Sequence, residues 1–367
     1  MTLTGFVLLY IVATIAIGVI AATRVKNTSD FALAGRSLPL PMVITATFAT
    51  WFGSETILGL PGRFIESGIA GVIEEPFGSG MALILVGTFF AHKLYKQNIL
   101  TLGDYYRDRY GRSVELLCSV AIVISYLGWV GAQVTALGLV INLITEGAVS
   151  MTTGMVIGAA VVLAYTMVGG MWSVAMTDFV QMIVIVVGLV AILWFATDLA
   201  GGMDKVVDYA RGRDLFHAFP EPTTTGWLFW ISAAMTMMIG SIPQQDVFQR
   251  VMSAKNLPTA VAGPILGGSF YILFAFVPMF IVVAAILVMP DAAEKMLSED
   301  PQQLLPTLVR DYMPMWLRVV FFGAVLSAVM STASATMLAP STIFVENVLR
   351  HFMKIDDRNM LRAMRLS

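Results

Sequence analysis

Apolar runs of about 20 residues, the length that crosses a bilayer hydrocarbon core, recur along nearly the whole chain with short polar segments between them. Nine stand out, at 3–22, 41–65, 73–91, 114–144, 151–168, 173–197, 226–248, 261–288 and 316–348. Several are longer than a span requires, so tilt or helical extension at their ends is expected.

Two of the runs are interrupted. The run 41–65 reads PMVITATFATWFGSETILGLPGRFI, with Gly53-Ser54-Glu55 at its centre and Gly59-Leu60-Pro61-Gly62 beyond. Glycine costs about 1 kcal/mol in a helix, and proline removes a donor and clashes with the preceding turn. A helix here should break at membrane depth, which lipid permits only where the backbone is buried in protein or lines a cavity. The run 227–251 is interrupted in the same manner at Gly240-Ser241-Ile242-Pro243. Paired interrupted spans point to the substrate site of a transporter built on inverted repeats.

Composition agrees: 57% of residues are hydrophobic and 13% charged, against roughly 25% charged in ordinary globular domains. The net charge of −2, with no basic tract, gives no sign of nucleic acid binding. The single cysteine, Cys118, excludes an internal disulfide and reads as a small buried residue. The first run has no Lys or Arg before it and two after it, Arg24 and Lys26, the wrong polarity for a cleaved signal. Segments 23–40, 92–113, 250–260 and 349–367 hold 15 of the 22 Lys and Arg residues. The positive-inside rule then places the N-terminus outside and the C-terminus in the cytoplasm of a multi-pass inner (plasma) membrane protein.

Along the chain, Glu74-Glu75-Pro76 reads as a helix start, with acids at the positive end of the dipole. Residues 98–113 suit a short interfacial helix with Tyr105, Tyr106 and Tyr110 at headgroup level. Gly169-Gly170 forms a tight turn between the fifth and sixth runs, and Asp178 lies two helical turns beyond. Asp178 is either solvated near the interface or, as an acid inside the membrane, a functional residue. Residues 199–225 should carry a small helix, and the acidic stretch 290–314 reads as a solvated loop. In the last run Ser327, Ser331 and Ser334 share one helical face. Such hydroxyls are common packing contacts between membrane helices; they would also offer oxygen to a hard cation alongside carbonyls freed in the broken span.

The chain resembles the sodium:solute symporter family nearly from end to end. The motifs are AGRSLP at 34–39, GLPG at 59–62, TLGDYYRDRYG at 101–111, AYTMVGGMWSVAMTDFVQ at 164–181, PQQDVFQRVMSAKN at 243–256 and GAVLSAVMSTASATMLAPSTIFVENV at 323–348. The resemblance implies an all-α polytopic membrane protein with a LeuT-type inverted-repeat core. An extra N-terminal helix and loop would occupy 1–40, the first five-helix repeat 41–198, and the first three helices of the second repeat 226–348. It implies sodium as coupling ion and symport of a small organic solute by alternating access. Carried over, the conserved sodium site falls on the carbonyls of Ala49, Phe52 and Ala328 and the hydroxyls of Ser331 and Thr332. Thr177 and Asp178 match a further sodium position of some members.

Within the family the chain is most similar to the choline-transporter branch, through Ala49-Thr50-Trp51, Trp129 and the segment 242–250. Trp51 and Trp129 would hold a quaternary ammonium or an amino-acid-like solute by cation–π attraction, about 2 kcal/mol or more when desolvated. Two departures stand out at the solute site: Gln244 replaces the tryptophan that follows Ile-Pro in that branch, and Glu55 replaces a small residue. Glu55 would pair with a cationic solute, carry a proton or hydrogen-bond to the freed backbone. Members of the family continue for several helices past the position of Ser367, so the chain reads as C-terminally incomplete. Two rival readings are a sensory protein that uses this fold as its membrane input domain, and a membrane enzyme. The enzyme lacks support: His92, His217 and His351 all lie outside the spans, and no HExxH or GxSxG motif occurs.

Overall fold

Lipid offers no hydrogen bonds to a free backbone, so apolar runs of this kind must satisfy their amides within helices. The computed structural model describes residues 3–353 and 356–367, and among these the structure is helical, with one isolated bridge between Leu38 and Ala254. The helices that position the site are α1 (Leu3–Ala22), α2 (Leu40–Trp51), α3 (Leu60–Ser67), α4 (Arg112–Ile144), α5 (Met151–Leu199), α6 (Thr224–Gly240), α7 (Gln245–Ser253), α8 (Leu257–Phe274), α9 (Phe276–Val288) and α10 (Met315–Ile343). Six described helices are long and apolar enough to cross a membrane, or seven when α6 and α7, bent by 45°, count as one broken span.

At 1.5 Å per residue a straight helix of the length of α5 would reach about 74 Å, more than twice a hydrocarbon core of about 30 Å. It turns instead at Gly170, where φ is 50° and ψ is −138°. A β-carbon there would lie 2.3 Å from the carbonyl oxygen of Phe31, so both the backbone angle and the close approach require glycine. The expected spans 151–168 and 173–197 are the two limbs of this helix.

The most enclosed of the long spans is the one richest in small hydroxyl residues. In the span that contains α10, 89% of the most apolar window is buried, against 17% for α4 and 18% for α1. Small residues let neighbouring backbones approach closely, and α10 packs against α5, α4, α1 and α2. Outward-facing apolar side chains such as Leu8, Leu117, Leu127, Trp194 and Phe229 are exposed, as befits helices whose solvent is lipid.

The break expected in 41–65 falls at its centre. α2 ends at Trp51, Phe52 takes φ −76° and ψ 74°, and the helix resumes with a wide turn over Glu55–Gly59 before α3. The Gly59-Leu60-Pro61-Gly62 stretch is helical: Pro61 sits in the first turn of α3, where its missing N–H is no loss.

Two groups of loops meet at opposite ends of the molecule. Leu38 N–H donates to Ser253 O (2.9 Å), Tyr95 Oη donates to Ala254 O (2.8 Å), and Thr101 Oγ1 donates to Asn347 Oδ1 (2.6 Å). At the other end Ile69 and Ala70 N–H donate to Leu215 and His217 carbonyls (both 2.9 Å). This is the grouping that the Lys and Arg distribution anticipated.

Two expectations about the fold need correction. Residues 290–314 are not an open loop: the helices Pro290–Glu299 and Leu304–Tyr312 form there, and Leu304, Leu305, Leu308 and Val309 are buried against the core. The acids occupy their outer faces, so the charge was legible and the amphipathic helix beneath it was missed. Cys118 is only partly buried, because it lies on the outward side of the lightly covered helix α4. Residues 199–225 do carry their small helix, Met203–Gly212.

Candidate functional site

The break after α2 is pressed against the middle of α10. Thr332 Oγ1 lies 3.3 Å from the carbonyl oxygen of Ala49 and 3.1 Å from that of Ala328. Ser331 Oγ lies 3.3 Å from the same Ala49 oxygen and donates to Asp178 Oδ1 at 2.5 Å. Gly53 makes the approach possible: a β-carbon there would sit 2.9 Å from Thr332 Oγ1. Ala49, Phe52, Ala328, Ser331 and Thr332 are all buried. Four of these five residues are brought into mutual contact, and the fifth, Phe52, is the non-helical residue of the break.

Asp178 is fully buried and its Oδ2 has no partner among the described residues. The solvated reading of Asp178 is therefore corrected. Two turns beyond Gly170 the chain has already re-entered the protein, because the kink itself is buried beneath the helix Thr28–Leu33. Thr177 does not join the cluster, since its hydroxyl donates back to the carbonyls of Ser173 (2.9 Å) and Val174 (3.0 Å) in its own helix. The serine face of α10 divides by role. Ser327 shares a 2.5 Å hydrogen bond with Tyr10 of α1, a packing contact, whereas Ser331 faces the break.

Trp51, Glu55, Trp129 and Gln244 line one cavity of about 310 Å³, whose wall includes Gly53 and Thr332. The four residues expected to contact solute and the oxygen cluster thus share a boundary. Trp51 is buried with its Nε1 unpartnered. Trp129 stacks on Tyr126, ring centres 5.9 Å apart at 29°, so it faces inward rather than towards lipid. Gln244 sits at the bend between α6 and α7, its Oε1 unpartnered. Glu55 is exposed and makes no hydrogen bond or ion pair with the described residues, so it does not serve the freed backbone. It also borders a second cavity of about 610 Å³ lined by Arg63, Glu66 and residues 299–302. At the opposite side the site is closed. Tyr126 Oη donates to Asp246 Oδ1 at 2.5 Å, and Gln245 Oε1 accepts from Leu102 N–H at 2.9 Å.

Several residues of this cavity escaped the sequence reading, Tyr126, Gln133 and Glu75 among them. Tyr126 lies three residues before Trp129 on the same helical face. Glu75 is more consequential. It is not a solvated helix-start acid: its backbone leaves helical geometry (φ −139°, ψ 124°) and its side chain is buried. Its Oε1 accepts from Thr56 Oγ1 (2.9 Å) and Tyr271 Oη (2.5 Å). The signal was an acid within an apolar span, outweighed by a neighbouring proline that suits a helix start.

The cluster contains oxygen donors from opened backbone and hydroxyls, the set that suits a hard alkali cation at a broken membrane helix. No group of three or more His, Cys, Asp or Glu residues that could hold a metal occurs among the described residues. Comparison with known proteins agrees with this chemistry. The family model for the sodium:solute symporter family matches residues 31–367. The chain belongs to the sodium:solute symporter family.

Among relatives, the human high affinity choline transporter 1 is 27% identical over 384 residues, covering 98% of this chain and 64% of that protein. The Caenorhabditis elegans high-affinity choline transporter 1 is 28% identical over 336 residues, covering 88% and 56%. The chain thus spans less than two thirds of the length of these curated relatives. They are choline transporters, the branch its motifs resemble, and they are transporters rather than enzymes. A solved structure of a Na+-coupled sialic acid symporter, substrate-bound and outward-open, matches with TM-score 0.87 at 19% identity, covering 99% of this chain and 77% of that one. At that identity the likeness speaks for the fold alone: an all-α, polytopic membrane protein with the architecture of a Na+-coupled symporter.

Proposed function

We propose that this symporter-family chain couples sodium entry to uptake of a small organic solute across the plasma membrane by alternating access. The observation that carries the reading is the contact of Ser331 and Thr332 with the Ala49 carbonyl at the break of α2. That contact lies on the wall of the cavity that holds Trp51, Trp129 and Gln244. An ion bound there would hold the break against α10 and so fix the shape of the solute cavity, which is how one binding event raises the affinity of the other. In this reading the carbonyls of Ala49, Phe52 and Ala328 and the hydroxyls of Ser331 and Thr332 hold the coupling sodium. Asp178, with its unpartnered Oδ2, serves a further one, and Thr177 positions the helix there rather than ligating.

Trp51, Glu55, Trp129 and Gln244 contact the solute, a quaternary amine or an amino-acid-like molecule. The segment 41–198 is the first repeat and 226–348 the first three helices of the second, each opening on a broken helix, after an added helix within 1–40. The end rich in Lys and Arg faces the cytoplasm, which places the 610 Å³ cavity on the outer side.

Tryptophan fluorescence of the purified chain tests this, since Trp51 and Trp129 line the site. Sodium and potassium are compared across choline, betaine, proline, a carboxylate and a sugar. The expected result is a sodium-dependent response to one solute class. Equal responses in both salts would overturn the reading.

A further inference from the structure

The solute cavity contains two carboxylates, Glu55 and Glu75, and no Lys, Arg or His among its lining residues. Glu75 is 9% exposed, and no ion pair reaches it among the described residues; Arg63, the basic residue nearby in sequence, pairs with Glu74 at 3.9 Å. Thr56 and Tyr271, both neutral, donate to its Oε1 and hold it in place. No described group donates to Oε2. A charge kept this far from water without a counter-ion is costly, and it is relieved by uptake of a proton or by a cation bound beside it; a cationic solute supplies the second.

Other polar atoms on the same wall point to the kind of cation. Gln133 is 1% exposed and its Oε1 lacks a partner; Gln244 Oε1 is also buried and unpartnered. The one orphaned donor there is Trp51 Nε1. Two carboxylates, which accept only, and no cationic donor line the cavity, so a ligand that is both cationic and a donor complements it, and the two glutamine amides can turn their oxygens to it. A quaternary ammonium presents only methyl groups, so it would satisfy the aromatic faces while leaving the Glu75 and glutamine oxygens bare. A buried acceptor left without a partner is penalised in full. A protonated primary amine brings three N–H groups and keeps the same attraction to Trp51 and to the Trp129–Tyr126 stack.

We propose that Glu75 makes this cavity select a small organic cation bearing N–H donors, a protonated primary amine in preference to a quaternary ammonium. The proposal rests on the reading above that the cavity holds the transported solute. Glu75 anchors the ammonium, Gln133 and Gln244 take its remaining hydrogens, and the aromatic rings pack on its carbon chain.

The test is binding to the purified full chain in sodium, by tryptophan fluorescence, of ethanolamine and its N-methyl, N,N-dimethyl and N,N,N-trimethyl (choline) derivatives. These share one carbon skeleton and differ in the number of N–H donors. Affinity should fall at each methylation, with ethanolamine at least ~10-fold tighter than choline, the factor that one lost hydrogen bond of about 1.4 kcal/mol implies. Glu75→Gln should weaken ethanolamine most and flatten the order, and Glu75→Asp should restore it. Choline binding as tightly as ethanolamine, or an unchanged order in Glu75→Gln, overturns the proposal. The wild-type series decides the class even if Glu75→Gln fails to fold. No binding by any member while sodium alone still changes the fluorescence overturns the amine class and leaves the sodium reading standing. Loss of the sodium response as well would sink both.

Discussion

Replacing Ser331 with alanine removes one oxygen from the cluster and strips Asp178 Oδ1 of its 2.5 Å donor, while Oδ2 already lacks one. A hydrogen bond to a charged group contributes about 1.5–3 kcal/mol, and an ion–oxygen contact of that size corresponds to sodium binding about 10- to 150-fold weaker. One effect opposes this: the freed Asp178 carboxylate can turn towards the ion and recover part of the loss. Thr332→Ala has no such compensation, because its hydroxyl faces only the Ala49 and Ala328 carbonyls. The double variant therefore reads the site most directly.

Thermal melting of purified protein in sodium and in potassium supplies the second scale. At a sodium concentration about 100 times Kd, binding stabilises the fold by about 2.7 kcal/mol; after a 10- to 150-fold loss of affinity, about 0.3–1.4 kcal/mol remains. Sodium titrations of the fluorescence and of the melting temperature should both shift. An unchanged midpoint, together with full stabilisation by sodium over potassium, would refute the assignment of these hydroxyls.

Trp51→Ala should weaken solute binding by about 2 kcal/mol, roughly 30-fold, and sodium binding less; equal losses would make Trp51 a packing residue. Gly53→Ala places a β-carbon 2.9 Å from Thr332 Oγ1, so it should push the break from α10 and weaken sodium and solute together. Unaltered titrations would show that the break does not depend on that contact. Asn347 accepts from Thr101 Oγ1 and donates to Asp104 Oδ1 (3.1 Å) and Glu115 Oε1 (2.9 Å), joining the end of α10 to the start of α4. Asn347→Ala removes three buried hydrogen bonds, while Arg107 still pairs with Asp104 and Glu115, and should cost about 1–3 kcal/mol, seen as a lower melting temperature in sodium and potassium alike.

Much of the architecture was legible because lipid narrows the choices. An apolar run of span length must be helical, the Gly53-Ser54-Glu55 and Gly240-Ser241-Ile242-Pro243 interruptions mark breaks, and Lys and Arg sort the loops into two groups. The structure bears out the break at Phe52, the bend at Gly240–Pro243 and the turn at Gly170. The acidic stretch 290–314 was misread because exposed charge says nothing about the apolar face behind it. Its period of leucines at 304, 305 and 308 was the available sign.

The sequence by itself determined membrane class, broken spans and family, all of which depend on local composition or on motif order. Tertiary structure decided which polar groups meet. Asp178, solvated or functional by its position in the sequence, is buried and held by Ser331. Thr177, its neighbour, is turned away by the rotation of one residue along the same helix. Glu75 and Glu74 are adjacent acids, yet one is buried between Thr56 and Tyr271 and the other reaches Arg63 at 3.9 Å. Neighbours in sequence point to different faces, and Glu75 takes its setting from a tyrosine 196 positions away. That distance is why local pattern could not supply it.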